Sequence, residues 1–166
     1  MTYTELVAAI KSYTENDYTT TDVNTFIKNA EQRIYNTVQI PDLRKNVTGT
    51  MASGNKYFAL PSDWLSTFSI SVINSSNEHA FLLNKEYYAI FDDTTMILGP
   101  TPDDNYSAEL HYYYYPTSIV ADGSSWLGNN FDTALFYGAL LEAAAFMKED
   151  ADTVTQYTAK YSETIQ

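Results

Sequence analysis

A chain of 166 residues is long enough to bury a core within one domain, and a hydrophobic share of 45% excludes disorder as its main state. Cysteine is absent, which removes disulfides, thiolate nucleophiles and Cys-based zinc sites and lets the chain mature in a reducing cytoplasm. Nine Lys and Arg against 21 Asp and Glu give a net charge of −12, so tight binding to a phosphate backbone is disfavoured.

Residues 3–14 are the first predicted element. Thr2 and Glu5 have capping-box spacing, and Leu6, Val7, Ile10 and Tyr13 follow on one helical face. After the polar run from Glu15 to Thr21, a second helix is predicted over 22–38. Its stripe is Val23, Phe26, Ile27, Ala30, Ile34 and Val38, with Pro41 beyond it. Glu31 and Arg33 fall off that stripe and read as its exposed flank.

Past Leu43 the pattern changes period. Residues 46–51 and 56–60 flank Ser53, Gly54 and Asn55, which reads as a hairpin. Pro61 to Leu65 turn the chain. Phe68, Ile70 and Val72 then alternate with Ser69 and Ser71 as a strand. Residues 81–83 and 95–98 are short strand candidates, with 85–91 ambiguous between them. The breakers from Gly99 to Asn105 form a loop. Residues 106–115 make the longest strand, with Tyr106, Ala108, Leu110, Tyr112 and Tyr114 on one face and Glu109, His111, Tyr113 and Tyr115 on the other.

Pro116 ends that strand and a loop opens at Asp122 and Gly123. Residues 131–148 read as the strongest helix, apolar around most of its circumference and therefore central. Residues 153–165 give a last helix with the stripe Val154, Tyr157, Tyr161 and Ile165. The fold expected is α+β: a helical bundle built from N- and C-terminal helices with an inserted small antiparallel β module. Residues 1–166 then form a single domain, with a helical hairpin at 1–43, a β-rich insertion at 44–115 and C-terminal helices at 116–166.

Charge and aromatics are both unevenly used. Residues 1–91 carry nine acidic and seven basic side chains, whereas 92–166 carry twelve acidic ones and only Lys148 and Lys160. Such a surface can serve solubility alone, or form a wall past which DNA slides without sticking. Fifteen Tyr, eight Phe and two Trp fit two readings equally: aromatic strands and protein interfaces, where a ring with a polar tip is favoured. No basic patch followed by an apolar run marks a secretory signal, and no apolar stretch nears the ~20 residues that span a bilayer. The glycosylation sequons at Asn46, Asn74 and Asn105 are therefore read as chance.

Catalytic signatures are missing. His79 and His111 are too few for a rich metal site, and the pair Glu109 with His111 reads as ordinary strand residues. Glu149, Asp150 and Asp152 resemble the start of a calcium loop, but Val154, Thr155 and Tyr161 stand where ligands and glycine are required. No acidic pair is singled out for glycoside hydrolysis, Ser124 and Ser125 lack elbow glycines, and no phosphate-binding glycine loop is present. No cofactor and no enzymatic activity are expected.

Three groups of residues, in order along the chain, carry a resemblance. The first is Tyr3, Leu6, Val7, Ile10 and Tyr13 followed by Val23 to Ile34, with Phe26, Ile27, Ala30, Glu31 and Ile34 as its most specific part. The second is Tyr57 to Leu65, a strand running into Leu60, Pro61, Asp63 and Trp64. The third is Tyr112 to Pro116, then Trp126 and Leu127, then Ala134 to Ala145. Together they resemble the head-to-tail adaptor (connector) proteins of tailed bacteriophages. The resemblance implies a structural virion protein, made in the host cytoplasm and placed at the head–tail junction. Twelve copies would form a ring docked on the portal protein and presenting a platform to the next tail component, a nozzle or tail tube protein. The ring would extend the channel through which DNA is ejected, without specific DNA binding and without a membrane. Charged helix faces at Glu31 and Arg33, and the aromatics Trp64, Tyr113, Tyr115, Trp126, Tyr157 and Tyr161, are the interface residues expected. Family members commonly carry a C-terminal extension along the portal; this sequence stops at Gln166, which leaves the last helix or the N-terminal helices to grip it. Two rival readings are a carbohydrate- or receptor-binding module of a phage tail, with Tyr112 to Tyr115 as stacking platform, and a cell-wall hydrolase.

Overall fold

The computed structural model describes residues 1–74 and 76–165, and its helices begin where side chains can cap them. The chain divides into two compact units, one formed by residues 1–38 and 116–166 and the other by residues 39–115.

In the helical unit, α1 (Tyr3–Thr14) opens on a capping box in which Thr2 and Glu5 satisfy each other's amides. A second box, Thr19 with Asp22, starts α2 (Thr20–Thr37) two residues before the apolar stripe alone indicates. Two short helices follow that the apolar period does not reveal. Ser118 caps α3 (Ile119–Asp122), closed by Gly123 at φ +75°, and Ser125 caps α4 (Trp126–Asn130). Then come α5 (Asp132–Met147) and α6 (Ala151–Thr164). The junction between them is held by Asp150, whose carboxylate accepts from the Asp152 and Thr153 amides at 2.9 Å. Helix α5 is central as expected: α1, α2, α4 and α6 all pack on it. Its buried residues Ala134, Leu135, Ala139, Leu140, Ala143 and Ala144 cover most of its circumference. Each fully buried leucine contributes about 1.5–3 kcal/mol. Gly138 lets α2 and α6 close on it, since a Cβ there would lie 3.1 Å from Ala30 Cβ and 3.3 Å from the Tyr161 ring.

The second unit holds two antiparallel sheets. One has the order β1 (Arg44–Met51), β7 (Tyr106–Tyr114), β3 (Trp64–Ile73), β4 (His79–Phe81); the other has the order β2 (Tyr57–Ala59), β6 (Thr95–Leu98), β5 (Tyr88–Ile90). Strand β7 is the spine of the larger sheet, and its even-numbered face turns inward as the alternation predicts. Ala108, Leu110 and Tyr112 meet Ile70, Met51, Phe58, Tyr88, Met96 and Leu98 in one core shared by both sheets. The segments flanking Gly54 do not form a hairpin. β1 pairs with β7 and β2 pairs with β6, so the chain crosses from one sheet to the other. Gly49 permits this, because a Cβ there would sit 3.1 Å from the Phe58 ring.

The expected helical bundle with a small inserted β module is therefore corrected. The fold is mixed, with N-terminal helices, a central antiparallel sheet-rich region and C-terminal helices. The physical reason is that residues 39–115 close an apolar core of their own between two sheets.

Candidate assembly interface

Helix α2 carries the two charged residues expected on its exposed flank, and the structure separates them. Arg33 is exposed and pairs with Glu142 of α5, which also accepts from Asn29 Nδ2 at 3.2 Å. Glu142 is thus a paired residue rather than a free charge on α5. With Gln32 and Asn36 these side chains line a shallow polar depression of about 310 Å³. Glu31 is buried at 3% exposure. Its carboxylate accepts the Ile119 amide at 2.9 Å and is also bonded by the Ser118 side chain. Burial pushes its pKa up, against the pull of those two donors. The buried face of α2 is wider than its stripe because both α5 and α3 pack on it. Glu31 is therefore spent inside the unit.

On α6, Tyr157 and Tyr161 lie one turn apart with different environments. Tyr161 is buried against Gly138, and its hydroxyl has no hydrogen-bond partner among the described residues. Burial pushes its pKa up, partly offset by Arg33. Tyr157 is half-buried and borders a groove of about 400 Å³ with Tyr13, Tyr137, Gln156, Lys160 and Glu163. Its ring lies 6.4 Å from that of Tyr137, and Tyr13 stands edge-on to Phe136 at 5.0 Å while 59% exposed. Trp126 stacks on exposed Phe131 with ring centroids 5.9 Å apart. These rings give the helical unit two aromatic surfaces, the groove and the stacked Trp126–Phe131 pair.

Strand alternation scatters the tyrosines of β7. Tyr112 is 4% exposed in the inter-sheet core, and its hydroxyl donates to Asp63 Oδ1 at 2.9 Å. Burial first, and then the Asp63 carboxylate, push its pKa up to about 12. Burial opposes ionisation of Asp63, but bonds from Lys45 and Tyr112 hold its carboxyl below the usual range. Tyr113 is on the opposite face at 6% exposure, edge-on to Phe68 at 6.2 Å and under the Arg44 guanidinium at 5.3 Å. Tyr115 is exposed and donates its amide to the Asp63 carbonyl at 3.0 Å. Half-buried Trp64 packs beside the core and donates Nε1–H to Thr67 Oγ1 at 3.2 Å. Tyr112 to Tyr115 therefore share no single stacking surface, which removes the basis for the glycan-platform reading.

The face opposite the inter-sheet core holds a constellation that sequence spacing shows only in part. Glu109 accepts from Asn46 of β1 and lies 3.1 Å from His79 Nδ1 of β4 and 3.5 Å from His111 Nε2. Ser71 bonds His79 Nδ1 at 3.0 Å, and Ser69 bonds His111 Nδ1 at 3.1 Å. The Asn46 bond is the main cause holding the Glu109 carboxyl below its ordinary pKa. The Glu109–His111 spacing is legible in the sequence, whereas His79 arrives only through the β3–β4 pairing. Among the described residues no group of three or more His, Cys, Asp or Glu could hold a metal ion. No helix is long and apolar enough to cross a membrane among those residues.

The residues expected at an interface thus divide. Arg33, Tyr115, Trp126 and Tyr157 reach solvent and Trp64 does so in part, whereas Glu31, Tyr113 and Tyr161 are buried within their units. Comparison with curated proteins finds no match. The family model described as SU10 adaptor protein matches residues 1–166, the entire chain. The chain belongs to the SU10 adaptor protein family, in keeping with the phage head-to-tail adaptors that its sequence resembles.

Proposed function

We propose that this phage adaptor, a structural component of the virion by its family, forms a ring that joins the portal to the tail and continues the DNA channel. The full-length family match carries this reading. Twelve copies dock on the portal protein and offer their far side to a nozzle or tail tube protein. The acidity concentrated in residues 92–166 supports passage of DNA without specific binding, because like charge opposes adhesion of phosphates. Exposed rings of the helical unit, Tyr13, Phe131 and half-buried Tyr157 and Trp126, suit contacts that are wet before assembly and covered afterwards. Single interfaces of about 800 Å² per partner hold poorly alone and well when repeated around an axis.

The decisive experiment mixes the purified chain with portal rings and measures mass, with electron microscopy of the virion alongside. A mass gain by the portal and a ring between capsid and tail are expected. A portal that gains no mass, or a virion without that ring, overturns the reading.

A further inference from the structure

The two units match their aromatic rings with charge differently. In residues 39–115, Arg44 lies 4.1 Å over Phe68 and 5.3 Å over Tyr113, Lys45 4.1 Å over Tyr114, and Lys56 5.2 Å over Tyr57. Three of the four cations of that unit thus sit on ring faces. Among the described residues the tyrosine groove of the helical unit has no such cation. Lys160 on its rim turns instead to Glu163, with 3.3 Å between Nζ and Oε2.

Geometry and charge leave those rings suited to a cation from outside. Helices α1 and α6 both pack on α5, and each of the three contributes one ring to the groove, Tyr13, Tyr157 and Tyr137 in turn. The Tyr137 and Tyr157 rings are inclined to each other by 48°, and Tyr13 is 59% exposed. The helical unit holds twelve acidic side chains against five basic ones. At Tyr157 the local sign is the same: burial first, then the Glu149 carboxylate and the phenols of Tyr13, Tyr137 and Tyr18, push its pKa up. Tyr18 is itself buried, and its hydroxyl has no hydrogen-bond partner among the described residues. Ring faces are electron-rich and attract cations, most strongly where water is partly excluded.

We propose that the Tyr13, Tyr137 and Tyr157 groove receives an arginine side chain from a different protein of the virion. A guanidinium suits it better than an ammonium. It is planar, stacks on tyrosine faces and brings several N–H donors to the phenol oxygens around it. A second copy of this chain does not supply the group, because its two arginines are already engaged. Arg33 pairs with Glu142, and Arg44 lies over Phe68 and Tyr113. The source of the arginine rests on the adaptor reading above, whereas the chemistry of the groove rests on its own residues.

The probe is N-acetyl-arginine amide, titrated at constant ionic strength into the purified full chain. The uncharged N-acetyl-citrulline amide is its control of the same shape. Tyrosine ring signals of the groove in NMR spectra should shift saturably with the arginine probe and stay in place with citrulline. The bound cation should also lower the Tyr157 pKa, because it opposes Glu149. Tyr157→Leu and Tyr13→Leu each remove a ring face and should raise the dissociation constant by about tenfold or more. Tyr157→Phe keeps the face and should stay within about threefold. Circular dichroism checks the fold of each variant, and exposed Tyr13 can be replaced without opening the core. No saturable shift, an equal response to citrulline, or undiminished binding by Tyr13→Leu overturns the proposal. Portal rings mixed with the same chain separate the two ideas. A wild type that takes up the arginine probe yet adds no mass to the portal supports the groove and sinks the ring reading alone.

Discussion

The buried carboxylate of Glu31 accepts the Ile119 amide at 2.9 Å, and so a side chain in the middle of α2 completes the N-terminus of α3. The bond joins residues 88 positions apart and fixes the returning chain against the N-terminal helices. Replacing Glu31 with Ala leaves the Ile119 amide without its acceptor, a loss of about 1–3 kcal/mol. Glu31→Gln keeps an acceptor oxygen and should lose less. Urea denaturation of the two variants at neutral pH checks the order.

The same residue sets a pH dependence. Its folded pKa is raised by burial, so the folded state binds the proton more tightly than the unfolded one. Stability from this group is greatest when it is protonated and declines as pH rises from the ordinary glutamate value of 4.5 through the raised folded pKa. The difference in melting temperature between wild type and Glu31→Gln should therefore shift in favour of Gln as pH rises across that window. A constant difference would show that Glu31 titrates normally.

Glu109 should behave in the opposite sense. Its carboxyl is held low, chiefly by the Asn46 amide, so the associated stability is present above the unfolded pKa and lost as pH falls through the folded one. Carboxyl titration by NMR should find Glu109 ionising below the usual range in the wild type and moving back up in Asn46→Ala.

Tyr112 predicts alkaline behaviour. With the folded phenol at about 12 against 10 when free, stability should fall as pH rises between those values, by an amount of order 2 kcal/mol. Tyr112→Phe should lose about 0.5–1.5 kcal/mol at neutral pH through the missing bond to Asp63, and should lack that alkaline component. Ultraviolet titration of phenolate and urea melts measure both.

Gly138 tests the packing of the central helix. Alanine is the better helix former by about 1 kcal/mol, yet its methyl would lie 3.1 Å from Ala30 Cβ, which is anchored on another helix, and 3.3 Å from the buried Tyr161 ring. Gly138→Ala is expected to destabilise by about 1–3 kcal/mol through overpacking. A gain in melting temperature would mean that α2 or α6 gives way easily.

Much of the architecture was legible locally. The Thr2–Glu5 box fixed the start of α1, the inward face of β7 followed from alternation, and the small and apolar residues around α5 marked it as central. The chain order of the Phe26 to Ile34, Tyr57 to Leu65 and Ala134 to Ala145 segments carried the family. These signals depend on neighbours within a turn or two of chain. Tertiary structure alone decided that the strands flanking Gly54 part into different sheets, that Glu31 turns inward to a helix 88 residues away, and that His79 joins Glu109. Each of those outcomes depends on which distant segment supplies the hydrogen-bond partner, and periodicity within one element carries no information about that choice.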